Sequence, residues 1–159
     1  MTVVSDNSEL KDLYRELILD HARKPRNFGR LENATHVAEG INPLCGDKLS
    51  LYLLVDSEQR ITEAGFEGSG CAISMASASL MTETISDLSV TDADTCYKAV
   101  TTRLATNTSD SELEPGIDLS YLKALDGVRE YPSRVKCATL AWHALHAALS
   151  DSQATATTE

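Results

Sequence analysis

Apolar side chains recur at Leu10, Leu13, Tyr14, Leu17 and Ile18 within ELKDLYRELILDHAR, residues 9–23. That spacing puts them on one stripe and predicts an amphipathic helix. Pro25 and Gly29 of KPRNFG end it. Residues 34–41 predict a short strand, and KLSLYLLV (48–55) is dense in strand formers. ITEAGFEG (61–68) follows after the polar loop DSEQR, so the two runs predict a hairpin in an antiparallel sheet. The period then changes in GSGCAISMASASLMTETI (68–85), where two glycines end a strand and a helix of small residues is expected to begin near Cys71. A further helix is expected from about Thr91, with Thr91 and Asp94 as a capping pair and Cys96, Ala99, Val100, Arg103 and Leu104 on one face. TNTSDSELEPG (106–116) reads as an exposed loop, followed by a short helix around 118–126 and a turn at YPS. The last helix, roughly 134–149, carries Ala138, Ala141, Trp142, Leu145, Ala148 and Leu149 as its apolar side. Helix, about three strands of a small antiparallel sheet, then helices is an α+β order. One domain is expected over residues 1–150, and the tail DSQATATTE (151–159) is expected to be disordered.

Composition narrows the function. The 159 residues suit a single domain with a core of its own, and 42% are hydrophobic. Fourteen Lys and Arg against 24 Asp and Glu give a net charge of −10. That balance argues against nucleic acid and anionic membranes as partners, because both need a basic footprint. No apolar run reaches transmembrane length, and MTVVSDNSEL lacks the plan of a signal peptide. The expected compartment is cytoplasmic, where the four cysteines would stay reduced.

Three of those cysteines stand at predicted junctions. Cys45 precedes a strand, Cys71 follows one and opens a helix, and Cys137 falls in the first turn of the last helix. A helix start favours the thiolate through its dipole and free N–H groups. With Asp47, three thiolates and a carboxylate would close a four-coordinate site of the kind zinc prefers. No C-x-x-C pair occurs. Spacing therefore leaves a second reading open, in which scattered free cysteines are buried as small hydrophobes.

NPLCGD (42–47), GSGCAISMASASLMTE (68–83) and SRVKCATLAWHAL (133–145) together resemble the U-type iron–sulfur cluster assembly family, of the IscU and NifU N-terminal kind. The resemblance runs from LYRELILDHARKPRNFG (13–29) through the last helix. Its closer likeness is to the SufU branch. The interval between Cys71 and Cys137 is long, and Lys136 stands where the scaffold branch carries a histidine. PSRVK (132–136) occupies the place of the scaffold's chaperone-recognised leucine–proline–proline segment.

The resemblance implies a SufE/NifU-like fold and a zinc-dependent sulfurtransferase of the SUF pathway. Such a protein accepts persulfide sulfur from a pyridoxal-phosphate (PLP) cysteine desulfurase of the SufS kind, activates it, and passes sulfur to a downstream SUF scaffold. The implied zinc ligands are Cys45, Asp47, Cys71 and Cys137, one cysteine being displaced by a desulfurase histidine. Cys45, on a turn rather than inside a helix, is expected to be the one released and the sulfur acceptor. The alternative within the family is a scaffold on which the same thiolates hold iron or a [2Fe–2S] cluster for transfer to apo-proteins.

Other candidates have plainer readings. Cys96 lies outside every family motif and reads as core. GSGCA is not a nucleophile elbow, so the serines of ISMASAS (73–79) are read as close-packing residues. His143 and His146 read as a solvated pair on the outer side of the last helix, with no acidic partner spaced for them. Arg134 and Lys136 either meet the desulfurase and its anionic persulfide or are solvated surface.

Overall fold

Leu49, Leu51 and Leu53 alternate along one strand, all fully buried, while Lys48 between strand start and core is exposed. In the computed structural model, which describes residues 7–43, 46–106, 125, 128, 131–150 and 153–157, this strand is the centre of the sheet. β2 (Asp47–Val55) pairs antiparallel with β1 (His36–Asn42) on one side and with β3 (Ile61–Ser69) on the other. The expected three-stranded antiparallel unit and its α+β class are therefore present. Asp56 closes the β2–β3 hairpin, its Oδ1 accepting the N–H groups of Glu58 and Arg60 at 2.9 and 3.0 Å.

The tail departs from expectation. Gln153–Thr157 is not disordered but forms a further strand, β4, parallel to β1 from Val37 to Ile41. β1 would otherwise present a row of unpaired backbone groups, and the helix before β4 returns the chain to that edge. Polarity suggested a loose tail, but backbone pairing at a free edge does not require apolar side chains.

Among the described residues, four helices accompany the sheet: α1 (Asn7–Arg23), α2 (Ala72–Ile85), α3 (Val90–Thr106) and α4 (Pro132–Ser150). α2 is buried nearly all round, with Ala76, Ala78, Leu80, Met81 and Ile85 in the core. Its serines are more than small. Ser77 Oγ donates to the Ala138 carbonyl at 2.5 Å and accepts from the indole N–H of the buried Trp142 at 3.1 Å, fixing α2 to α4. Ser79 Oγ accepts the Arg26 N–H at 2.8 Å and bonds His21 Nδ1 at 2.7 Å, fixing α1 and the following loop to α2. Gly40 lets α4 approach β1, since a Cβ there would sit 3.2 Å from Leu140 Cδ1.

Three local expectations are corrected. α3 starts one residue earlier than Thr91, and its cap is Ser89, whose Oγ accepts the Asp92 N–H at 3.0 Å. Asp94 turns elsewhere, to Lys98 at 3.2 Å and to His146 Nδ1 at 3.0 Å. The histidines of α4 are consequently not a solvated outer pair. Tyr97 stacks on His146 at 4.4 Å, and its hydroxyl meets His143 Nδ1 at 3.3 Å. Proline at the first position starts α4 at Pro132 rather than 134, because its missing N–H costs a helix nothing there.

Thr106, the first residue of the expected 106–116 loop, ends α3, and the rest of that loop lies outside the described residues. So does the expected 118–126 helix, apart from the buried Leu125.

Candidate metal centre

β2, α2 and α4 each deliver one polar side chain to the same end of the sheet. Asp47 is the first residue of β2 and 1% exposed. Cys71 is the N-cap of α2 and half-buried, its Sγ accepting the Ser74 N–H at 3.5 Å. Cys137 lies in the second turn of α4, not the first as expected, and is 0% exposed. The earlier helix start at Pro132 accounts for that difference. One ligand atom from each of Asp47, Cys71 and Cys137 lies within 4.8 Å of the others. Cys45 lies outside the described residues.

The local chemistry explains how a buried carboxylate reaches a thiol. Asp47 Oδ1 accepts the backbone N–H of Cys71 at 2.9 Å, and its Oδ2 is 4.0 Å from Cys71 Sγ. One of the orphan donors at the start of α2 is satisfied in this way. The carboxylate occupies the volume a side chain at Gly70 would need, since a Cβ there would fall 2.6 Å from Oδ1. Gly46, at φ +74, takes the left-handed conformation that turns the chain into β2, and its N–H donates to the Asn42 carbonyl at 2.9 Å.

Cys137 is held from two sides. Its Sγ lies 3.6 Å from the Ser133 carbonyl, one turn earlier in α4, and 3.8 Å from the side-chain amide Nδ2 of Asn42. Arg134 is exposed and reaches the same end. The negative charge available on Cys71, then on Cys137, holds its guanidinium more firmly protonated than usual. Cys96 contrasts with these thiols: it is fully buried in α3, and burial pushes it up to about 11. The expectation that it belongs to the core is met.

Asn42 had not been singled out in the sequence, and Gly70 had been read only as backbone punctuation at the end of a strand. Asn42 had a signal, because it continues the inward row of Ala38 and Gly40 on β1 with a polar residue. The space Gly70 leaves for Asp47 had no signal, since the clash it avoids is with a residue 23 positions away.

Two thiols and a carboxylate at this separation form a donor set that suits zinc or iron. The fold and this donor set meet in one family, and the model of the NifU-like N-terminal domain matches residues 13–138. The chain belongs to that family. Among NifU-like N-terminal domain proteins, it is 42% identical over 142 residues to the zinc-dependent sulfurtransferase SufU of Bacillus subtilis, covering 89% of this chain and 92% of the relative. It is 39% identical over 139 residues to the iron–sulfur cluster assembly scaffold protein IscU of Thermotoga maritima, covering 87% and 94%. A crystal structure from Fervidobacterium islandicum AW-1, of a protein described as a SUF-system cluster assembly scaffold and named FiSufU, superposes with a TM-score of 0.73 at 36% identity, covering 84% and 94%. Among the described residues, no helix of this NifU-like domain is long and apolar enough to cross a membrane.

Proposed function

We propose that this protein is a zinc-dependent sulfurtransferase of iron–sulfur cluster assembly, taking sulfur from a PLP-dependent cysteine desulfurase. The convergence of Asp47, Cys71 and Cys137 carries the reading. Cys45 completes the ligand set. Two peptide units separate it from Asp47, so covalent geometry keeps their Cα atoms within about 7 Å. The fit is supported by the chemistry of the donors and by the space that Gly70 leaves for the Asp47 carboxylate. A bound zinc ion would keep these thiols deprotonated without redox chemistry of its own.

Cys45 is the sulfur acceptor in this reading. Its thiolate attacks the terminal sulfur of the desulfurase persulfide, a new S–S bond forms on Cys45, and the desulfurase cysteine leaves as a thiolate. The product carries the transferred sulfur as an anion, and Arg134 brings a cation to that end of the domain. The partner is a SufS-like enzyme and the sulfur passes to a downstream SUF scaffold in the cytoplasm. Lys136, beside the last ligand, further separates this chain from the scaffold pattern.

Metal content and the visible spectrum of untagged, anaerobically purified protein test the reading, together with desulfurase turnover measured with and without it. One zinc per chain, no visible absorption and faster turnover are expected. A brown protein with iron and labile sulfide would instead establish the scaffold. Zinc without any effect on turnover would reduce the site to a structural brace.

A further inference from the structure

Asn42 ends β1 as a completely buried amide, 0% exposed, yet it is only half satisfied. Its Nδ2 donates to Cys137 Sγ at 3.8 Å, while its Oδ1 has no partner among the described residues. A buried carbonyl left unpaired costs about 1–3 kcal/mol. Leucine, with the same count of side-chain heavy atoms and no polar group, would leave no carbonyl orphaned. What asparagine offers and leucine lacks is the N–H aimed at sulfur. An N–H bond to a neutral thiol is weak, whereas one to a thiolate is charge-assisted and shorter. The arrangement therefore suits a Cys137 thiolate, the form a metal ligand takes.

The same residue also holds the opposite wall of the site. The Asn42 carbonyl accepts the Gly46 N–H, and Asn42 pairs with Asp47 across the β1–β2 ladder. One residue thus ties the turn that positions Asp47 to a ligand 95 positions further along the chain. Partners of this kind orient a ligand and draw charge from it.

We propose that Asn42 is a positioning residue of the metal centre, whose amide N–H holds the Cys137 thiolate as the retained, weakly nucleophilic ligand. Sulfur chemistry is thereby left to a cysteine without this bond. The inference rests on the metal-centre reading above and adds a division of labour among its thiolates.

The test begins with the wild-type protein loaded with cadmium-113 and labelled with nitrogen-15. The Asn42 side-chain amide proton should show a scalar coupling to cadmium through the N–H···S bond and exchange slowly with water. A freely exchanging amide without coupling overturns the proposal. Two variants give a second readout. Asn42→Leu and Asn42→Asp should each bind zinc about 10–100-fold more weakly in chelator competition. Their cobalt-substituted forms should show a sulfur-to-cobalt charge-transfer band moved to lower energy, because a thiolate without its N–H partner donates more readily. Wild-type affinity and cobalt spectrum in both variants would sink the idea. Should neither variant fold, the cadmium coupling decides alone. A wild-type protein that takes up neither cadmium nor cobalt would overturn the metal centre itself, and this proposal with it.

Discussion

Gly70→Ala isolates the contact between Asp47 and the start of α2. Gly70 is not among the glycines at positive φ, so alanine meets no backbone penalty there. Its Cβ would nevertheless fall 2.6 Å from Asp47 Oδ1 and 3.1 Å from Cγ, and the carboxylate must move. The charge-assisted bond from the Cys71 N–H, now 2.9 Å, is then lost or stretched. Such a bond is worth about 1.5–3 kcal/mol. Replacing glycine returns about 0.4–1 kcal/mol through the unfolded chain. The net loss is about 1–2 kcal/mol, or roughly 3–6 °C in the melting temperature of the metal-free protein. With Asp47 as a zinc ligand, affinity should fall at least about tenfold, because its side chain is displaced rather than trimmed. Gly29→Ala is the control. At φ +137, with nothing within 4 Å of its Cβ, it suffers backbone strain of about 1–3 kcal/mol without touching a candidate ligand and should leave zinc affinity unchanged. Wild-type zinc affinity in Gly70→Ala, measured against a chelator of known strength, would refute the placement of Asp47 as a ligand.

Ser77→Ala strands the buried Trp142 indole N–H, so urea unfolding should show a loss of about 1–3 kcal/mol with an unchanged m-value. Burial raises the Cys96 thiol to about 11, so between pH 9 and 11 the unfolded chain gives up a proton that the folded one keeps. Stability should fall across that window by up to about 1.4 kcal/mol per pH unit. Cys96→Val should flatten that part of the pH profile, and an unaltered slope would exclude Cys96 as its source. Burial, with a further contribution from Arg26, lowers the pKa of His21. The folded state thus binds fewer protons than the unfolded chain below about pH 6.5. Stability present above that pH should be lost on acidification, and an NMR titration of the His21 ring should show a depressed midpoint. Truncation after Ser150 removes β4, and the β1 amides from Val37 to Ile41 should then exchange faster with solvent, read residue by residue.

Local patterning carried most of the architecture. The alternation in KLSLYLLV, the polar DSEQR turn and the glycine punctuation before Cys71 are short-range signals, and the elements follow them closely. The donor residues were readable too, since thiols at element junctions are unusual, although their convergence is a property of the sheet and helices together. What escaped were pairings between distant positions. Asp94 and His146 are 52 residues apart, so nothing in either neighbourhood suggests that they meet. Ser89 beat Thr91 as the α3 cap by two positions, which is within the ambiguity of a stretch containing several capping residues. β4 was missed because its pairing is set by where α4 delivers the chain, not by its own composition.

The candidate ligands come from β2, the N-cap of α2 and α4, with Cys71 24 residues from Asp47 and Cys137 a further 66 along the chain. A metal ion held by them is a cross-link that closes two long loops at once. The entropy removed from the unfolded chain by such a closure grows with loop length. Loading the site should therefore act as a fold-wide staple, slowing the separation of the helical layer from the sheet. Release of a ligand for sulfur chemistry would loosen that staple, so the reactive form of such a centre would also be the softer form of the protein.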